Sequence, residues 1–178
     1  MRFRLLPYPS DAPPPFTAVE ADVWRERDLL HFVYRVSGAA DLKAPPLSPP
    51  MRRDGLWRTT CFEAFIKPGA GANYLEFNFS PSGAWAAYHF DGYRRGMTNA
   101  DVTAPEINWR APGRTVELAA RIEDRGLGLS PSARLGISAI LETNQNEKSY
   151  WALAHTGDKP DFHRADAFIA RLPFESRA

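Results

Sequence analysis

The residues of this chain whose types and spacing could do chemistry are Glu63, in CFEAFIK, and Glu76 and Asn78, in YLEFNFS. In extended backbone, alternate side chains leave the same face. Cys61, Glu63 and Phe65 then share one side, as do Tyr74, Glu76 and Asn78. If the two segments are neighbouring strands, one sheet face collects two carboxylates and an amide. Trp57 stands just ahead, and AWAAYHF behind adds either Trp85 and His89 or Tyr88 and Phe90, depending on register. Such a face suits a neutral, hydroxyl-rich ligand. Rings stack on the apolar faces of a sugar, while carboxylates and amides hydrogen-bond adjacent hydroxyls. Paired carboxylates can also act as general acid and base on a glycosidic bond. The plain alternative is the solvated outer face that antiparallel sheets normally carry.

Other candidates are weaker. No G-x-G-x-x-G, P-loop, G-x-S-x-G or H-E-x-x-H motif is present. His31, His89, His155 and His163 are too scattered to give metal-ligand spacing on one element. HTGDKPDFH (155–163) reads as a polar loop, and no metal site is expected. Cys61 has no base beside it in sequence and reads as a small buried strand residue. Tyr93, Arg94 and Arg95 read as a solvated basic turn and are left outside the site.

The elements that position these residues are short strands. FTAVEADVW places Val19, Ala21 and Val23 on one face, and after a polar turn Leu30, Phe32, Tyr34 and Val36 alternate again, which predicts a hairpin. TVELAARI and ARLGISAIL repeat the pattern, and SYWALA and AFIARL close the chain. Residues 161–172 would also suit a helix. About nine strands with regular turn signals predict an all-β, antiparallel two-sheet sandwich in a single domain. Nine of the 16 prolines fall in the first fifty residues. They predict an extended, proline-rich N-terminal arm over 1–15, a long loop over 44–56, and the sandwich itself over 16–178.

At 178 residues the chain has the length of one domain. Its net charge of +1 gives no reason to expect nucleic acid or an anionic membrane surface. No apolar run approaches the roughly 18–20 residues that cross a bilayer. One cysteine excludes an internal disulfide framework. The N-terminal apolar patch is too short for a signal-peptide core, so a cytoplasmic location is expected. The prolines and a free sheet edge leave a protein partner or a homodimer open.

LWRTTCFEAFIKPG, NYLEFNFSPSGAWAAYHFDGYRRGM and SYWALAHTGDKPDFHRADAFIARL together resemble a DOMON-like domain, of the superfamily that includes the family 9 carbohydrate-binding modules. The resemblance spans about residues 15–173. It implies a jelly-roll-like sandwich that binds sugar or haem rather than catalysing a reaction. In the sugar-binding members a Trp before a strand and an acid on it hold the ligand, which match Trp57 and Glu63. A polar residue on the next strand points to Glu76 or Asn78. An amide near the last strands points to Asn144, and a second aromatic clamp to Trp151. No cofactor is expected on the sugar reading. The haem-binding members use Met, His or Lys as axial ligands, for which Met97, Met51, His31 and His89 are the candidates. With no export signal read here, the ligand expected is a cytoplasmic sugar, a nucleotide-sugar or a cell-wall precursor.

Overall fold

The computed structural model describes residues 1–10 and 13–172. Residues 11 and 12 of the expected arm, and 173–178 at the end of the expected sandwich, lie outside the described residues. The strands are β1 (Arg2–Pro7), β2 (Ala18–Glu26), β3 (Leu29–Ser37), β4 (Cys61–Lys67), β5 (Tyr74–Phe79), β6 (Trp85–Phe90), β7 (Thr98–Asn99), β8 (Glu106–Arg110), β9 (Thr115–Glu123), β10 (Arg134–Glu142), β11 (Lys148–Ala152) and β12 (Ala170–Arg171). Each of the nine expected strands is present. AFIARL contributes only the two residues of β12, after a 3-10 turn at Ala165–Ala167 instead of a helix.

One sheet runs β1-β2-β3-β9-β8 and the other β7-β6-β5-β4-β10-β11-β1, all pairings antiparallel. The β2–β3 register sets Val19 opposite Val36, Ala21 opposite Tyr34 and Val23 opposite Phe32, all fully buried. That is the inner face the alternation predicts. Across the sandwich Phe32 meets Phe79 (ring centroids 5.9 Å) and Tyr34 meets Phe62 (5.1 Å). The Tyr34 hydroxyl donates to the Glu63 carbonyl at 2.8 Å, which ties the first sheet to the strand that carries the key acid.

The first residues of the expected extended arm form a strand. In β1, Arg2–Leu5 pair with β2, and Leu6 and Pro7 pair with β11, so β1 passes from one sheet into the other. The reason is the apolar Leu5, whose side chain is buried between the sheets. Pro7 is tolerated because it sits at the strand's end.

The second sheet is covered on both faces, and every residue of β5 is buried. Its inner face packs on the first sheet. Its outer face forms a second apolar cluster of Leu56, Cys61, Phe65, Tyr74, Ala84, Ala86, Tyr88, Phe90 and Phe168, with Phe162 against it. Two loops supply the cover. The expected 44–56 loop is fastened by Arg52, whose guanidinium donates to the Ala87 and Ala100 carbonyls (2.8 Å each) and lies over Trp85. The 153–168 segment folds back over β4, β5 and β10. At Gly136 on β10 an added Cβ would come within 2.6 Å of the Phe168 ring, so only glycine lets Phe168 close down on the sheet.

Candidate functional site

The outer face of the second sheet is not sealed. Between the two covering loops lies a cleft of about 530 Å³. Its floor is made by strand residues: Glu63 and Phe65 of β4, Glu76 of β5, Tyr88 and Phe90 of β6, Ile140 of β10 and Tyr150 of β11. Its rim is made by loop residues: Trp57, Arg94, Met97, Pro160, Phe162 and His163. The β5–β6 register, Glu76 opposite Tyr88, decides between the two sequence alternatives. Tyr88 and Phe90 face the site, and Trp85 packs between the sheets.

The two carboxylates are diagonal neighbours, because Glu63 is paired with Asn78 and Glu76 with Phe65. Diagonal positions on one face bring Cβ atoms within roughly 7–8 Å. Each acid is held through one oxygen. Ser138 donates to Glu63 Oε2 at 2.8 Å, and Asn78 Nδ2 donates to Glu76 Oε1 at 2.7 Å. Both are almost wholly buried, at 2% and 4% exposed. Burial pushes the Glu63 carboxyl above the usual range, and repulsion from Glu76 adds to it against the Ser138 hydrogen bond and Arg94. Burial also raises Glu76, against Asn78 and Arg94. A carboxyl held near neutral in this way can donate as well as accept, which is what a hydroxyl partner requires.

His163 is fixed beside the acids. Its Nδ1 lies 2.8 Å from the Tyr74 hydroxyl, and Nε2 lies 3.8 Å from Glu76 Oε2. Phe65 and Phe90 meet the imidazole edge-on, each at 5.2 Å. This enclosure lowers its pKa to about 4, with Arg94 adding to the effect, so the ring is neutral at pH 7. Arg94 donates to Asp161 Oδ1 at 2.9 Å, and Tyr93 donates to Oδ2 at 2.5 Å. Asp161, with Arg94 and Tyr93 as donors, is held below the usual carboxylate range despite its burial. At the opposite rim, Trp57 stands edge-on to Tyr88 (6.3 Å), whose hydroxyl donates to Asp54 at 2.7 Å.

Of the residues expected at the site, Trp57, Glu63 and Glu76 line one cleft. Asn78 lies beneath it, fully buried, and orients Glu76. Asn144 and Trp151 are not brought there. Asn144 lies after β10 and donates to Asp41 at 3.0 Å on the surface. Trp151 faces the inter-sheet core, with Nε1 donating to Ser149. Strand alternation is the reason, since the residue of β11 turned toward the cleft is its neighbour Tyr150. Arg94 is a half-exposed turn residue, as expected, but it also lines the cleft and is paired with Asp161. Strand-end proximity was the one signal for it. Phe162 and His163 carried none, since a long backfold brings them in.

The haem-ligand candidates do not converge. Only Met97 lines this cleft. His89 lines a separate one of about 430 Å³ with Asn99 and Asp101, and His31 stacks on Trp24 in the first sheet. Met51 is exposed on the 44–56 loop. Among the described residues no three His, Cys, Asp or Glu side chains are grouped to hold a metal ion.

No family model matches the chain, and no curated protein matches its sequence. Solved structures share the fold, among them the following two. One, from Bacteroides uniformis ATCC 8492 and proposed to bind carbohydrate, superposes with a TM-score of 0.70 at 14% identity, covering 94% of this chain and 84% of that one. The other is a family 9 carbohydrate-binding module from Caldicellulosiruptor kristjanssonii in complex with glucose. It gives a TM-score of 0.56 at 10% identity, covering 94% of this chain and 81% of that one. The chain therefore has the β-sandwich fold of these proteins.

Proposed function

We propose that this protein is a non-catalytic carbohydrate-binding module of the DOMON-like kind, with the Glu63/Glu76 cleft as its site. The observation that carries the reading is the pairing of buried, individually anchored carboxylates with aromatic walls in one open cleft. Rings at Trp57, Tyr88 and Tyr150 offer stacking surfaces, and the acids offer hydroxyl partners. The fold shared with a glucose-bound module supports the ligand class.

The test is a thermal-shift screen against mono- and oligosaccharides, nucleotide-sugars and muropeptide fragments, followed by calorimetry on any hit. A ligand at a hundred times its Kd adds about 2.7 kcal/mol, on the order of 5–10 °C for a domain of this size. The expected result is a saccharide whose shift disappears in Glu63→Gln and Trp57→Ala. A flat panel, or a hit untouched by both variants, overturns the assignment.

A further inference from the structure

Resting on that reading, the charge in the cleft narrows the ligand class. Among the described residues, neither Glu63 nor Glu76 is ion-paired to a lysine or arginine. Among the described residues, the base within ion-pairing distance of Glu76 is the neutral imidazole of His163, and the Arg94 guanidinium acts on both acids from farther off. Arg94 is engaged by Asp161, and Asp54 is occupied by the Tyr88 hydroxyl. Glu63 is buried, yet only its Oε2 has a hydrogen-bond donor among the described residues, and the residue lines the cavity. A buried acid pair with no cation bonded to it either holds its protons or takes a cation from a ligand. The walls around it are Trp57, Phe65, Tyr88, Phe90, Tyr150 and Phe162. Aromatic faces attract a desolvated ammonium through their quadrupoles.

We infer that the group seated against Glu63 and Glu76 is an ammonium, and that the ligand is an amine-bearing sugar. A hexosamine fits, with its ring against the aromatic walls and its charge on the acid pair. An N-acetylated or unsubstituted hexose does not supply that charge. On binding, the ammonium displaces one proton from the pair, and that proton passes to buffer.

The experiment is calorimetry at pH 6.5, where a primary amine is charged. The probes are glucosamine, glucose, N-acetylglucosamine and cyclohexylamine, an amine on a six-membered ring without hydroxyls. Glucosamine is expected to bind at least tenfold tighter than the two neutral sugars. It should release protons in buffers of different ionisation enthalpy, and its advantage should be lost in Glu63→Gln and Glu76→Gln. The melting temperatures of the ligand-free variants check that they fold. Neutral sugars binding as tightly as glucosamine, or glucosamine binding without proton release, overturns the ammonium inference and leaves the saccharide module standing. Cyclohexylamine binding while every sugar fails supports the ammonium site and overturns the saccharide reading. Failure of all four probes overturns both.

Discussion

Burial acts on Glu63, Glu76 and His163 in ways that a pH series can separate. The carboxyls are raised, Glu76 to about 7 and Glu63 to about 8, so folding takes up protons there. Their contribution is full below about pH 4.5 and declines as pH rises to those values. His163, lowered to about 4, has the opposite sign: its contribution is full above about pH 6.5 and is lost as pH falls. One imidazole offsets only one of the two carboxyls between about pH 4.5 and 6.5, so the net loss of stability runs from about pH 4.5 to 8 and is steepest just above pH 6.5. Thermal melts should show that decline, and the Glu63→Gln/Glu76→Gln double variant should abolish it. The double variant should be more stable than the wild type at pH 8, where the buried acids must carry charge, and the gap should close towards pH 4.5. A wild-type profile flat over that interval would mean the acids are not held above the usual range. Trp57 is a separate case, since 38% of it is exposed and its ring contact among the described residues is with Tyr88. Trp57→Ala should cost under about 1 kcal/mol in denaturant unfolding. Its effect belongs in affinity, with a loss of about tenfold or more in calorimetry, or ~1.4 kcal/mol.

At the scale of elements, β1 and the Phe168 backfold decide whether the cleft exists. β1 pairs with a strand of each sheet, and Leu5 is locked between them. Amides of residues 2–6 should exchange slowly, as those of a central strand do and those of a loose arm do not. Leu5→Ala should cost about 2–5 kcal/mol, read from a urea melt. On the other side, Phe168 stacks on Phe65 at 5.7 Å and leans on Tyr74, which in turn holds His163. Gly136→Ala would drive a methyl into that ring and should cost about 1–3 kcal/mol. The same variant should weaken saccharide binding although Gly136 does not line the cleft. Unchanged affinity in a destabilised Gly136→Ala protein would show that the backfold does not position the site.

At the scale of the whole molecule, the cleft draws its rim from three stretches far apart in the chain, around Trp57, Arg94 and His163. Hydrogen exchange with bound saccharide should therefore slow at 56–58, 92–97 and 160–164 together, with β2, β3 and β9 unchanged. Protection confined to one stretch would place the ligand elsewhere.

Much of this could be read from the chain alone. Alternation fixed the inner faces of β2, β3, β9 and β10, because burying one side of a strand demands a period of two. It also placed Glu63 and Glu76 on one face, since their segments are consecutive and form a hairpin. Alternation cannot say what covers a face. Both sides of β4 and β5 are apolar enough to be inner, and only the backfold and the fastened 44–56 loop show that the outer side is a half-roofed cleft. For the same reason Trp151 and Tyr150 could not be ranked, and Phe162 and His163 gave no local sign. The sequence by itself determined the sandwich and the acid pair, both consequences of spacing within a strand or between adjacent strands. The tertiary structure alone decided the rim, the neutral imidazole and the lack, among the described residues, of a lysine or arginine ion-paired to the acids. Those depend on which distant segments share a low-dielectric pocket.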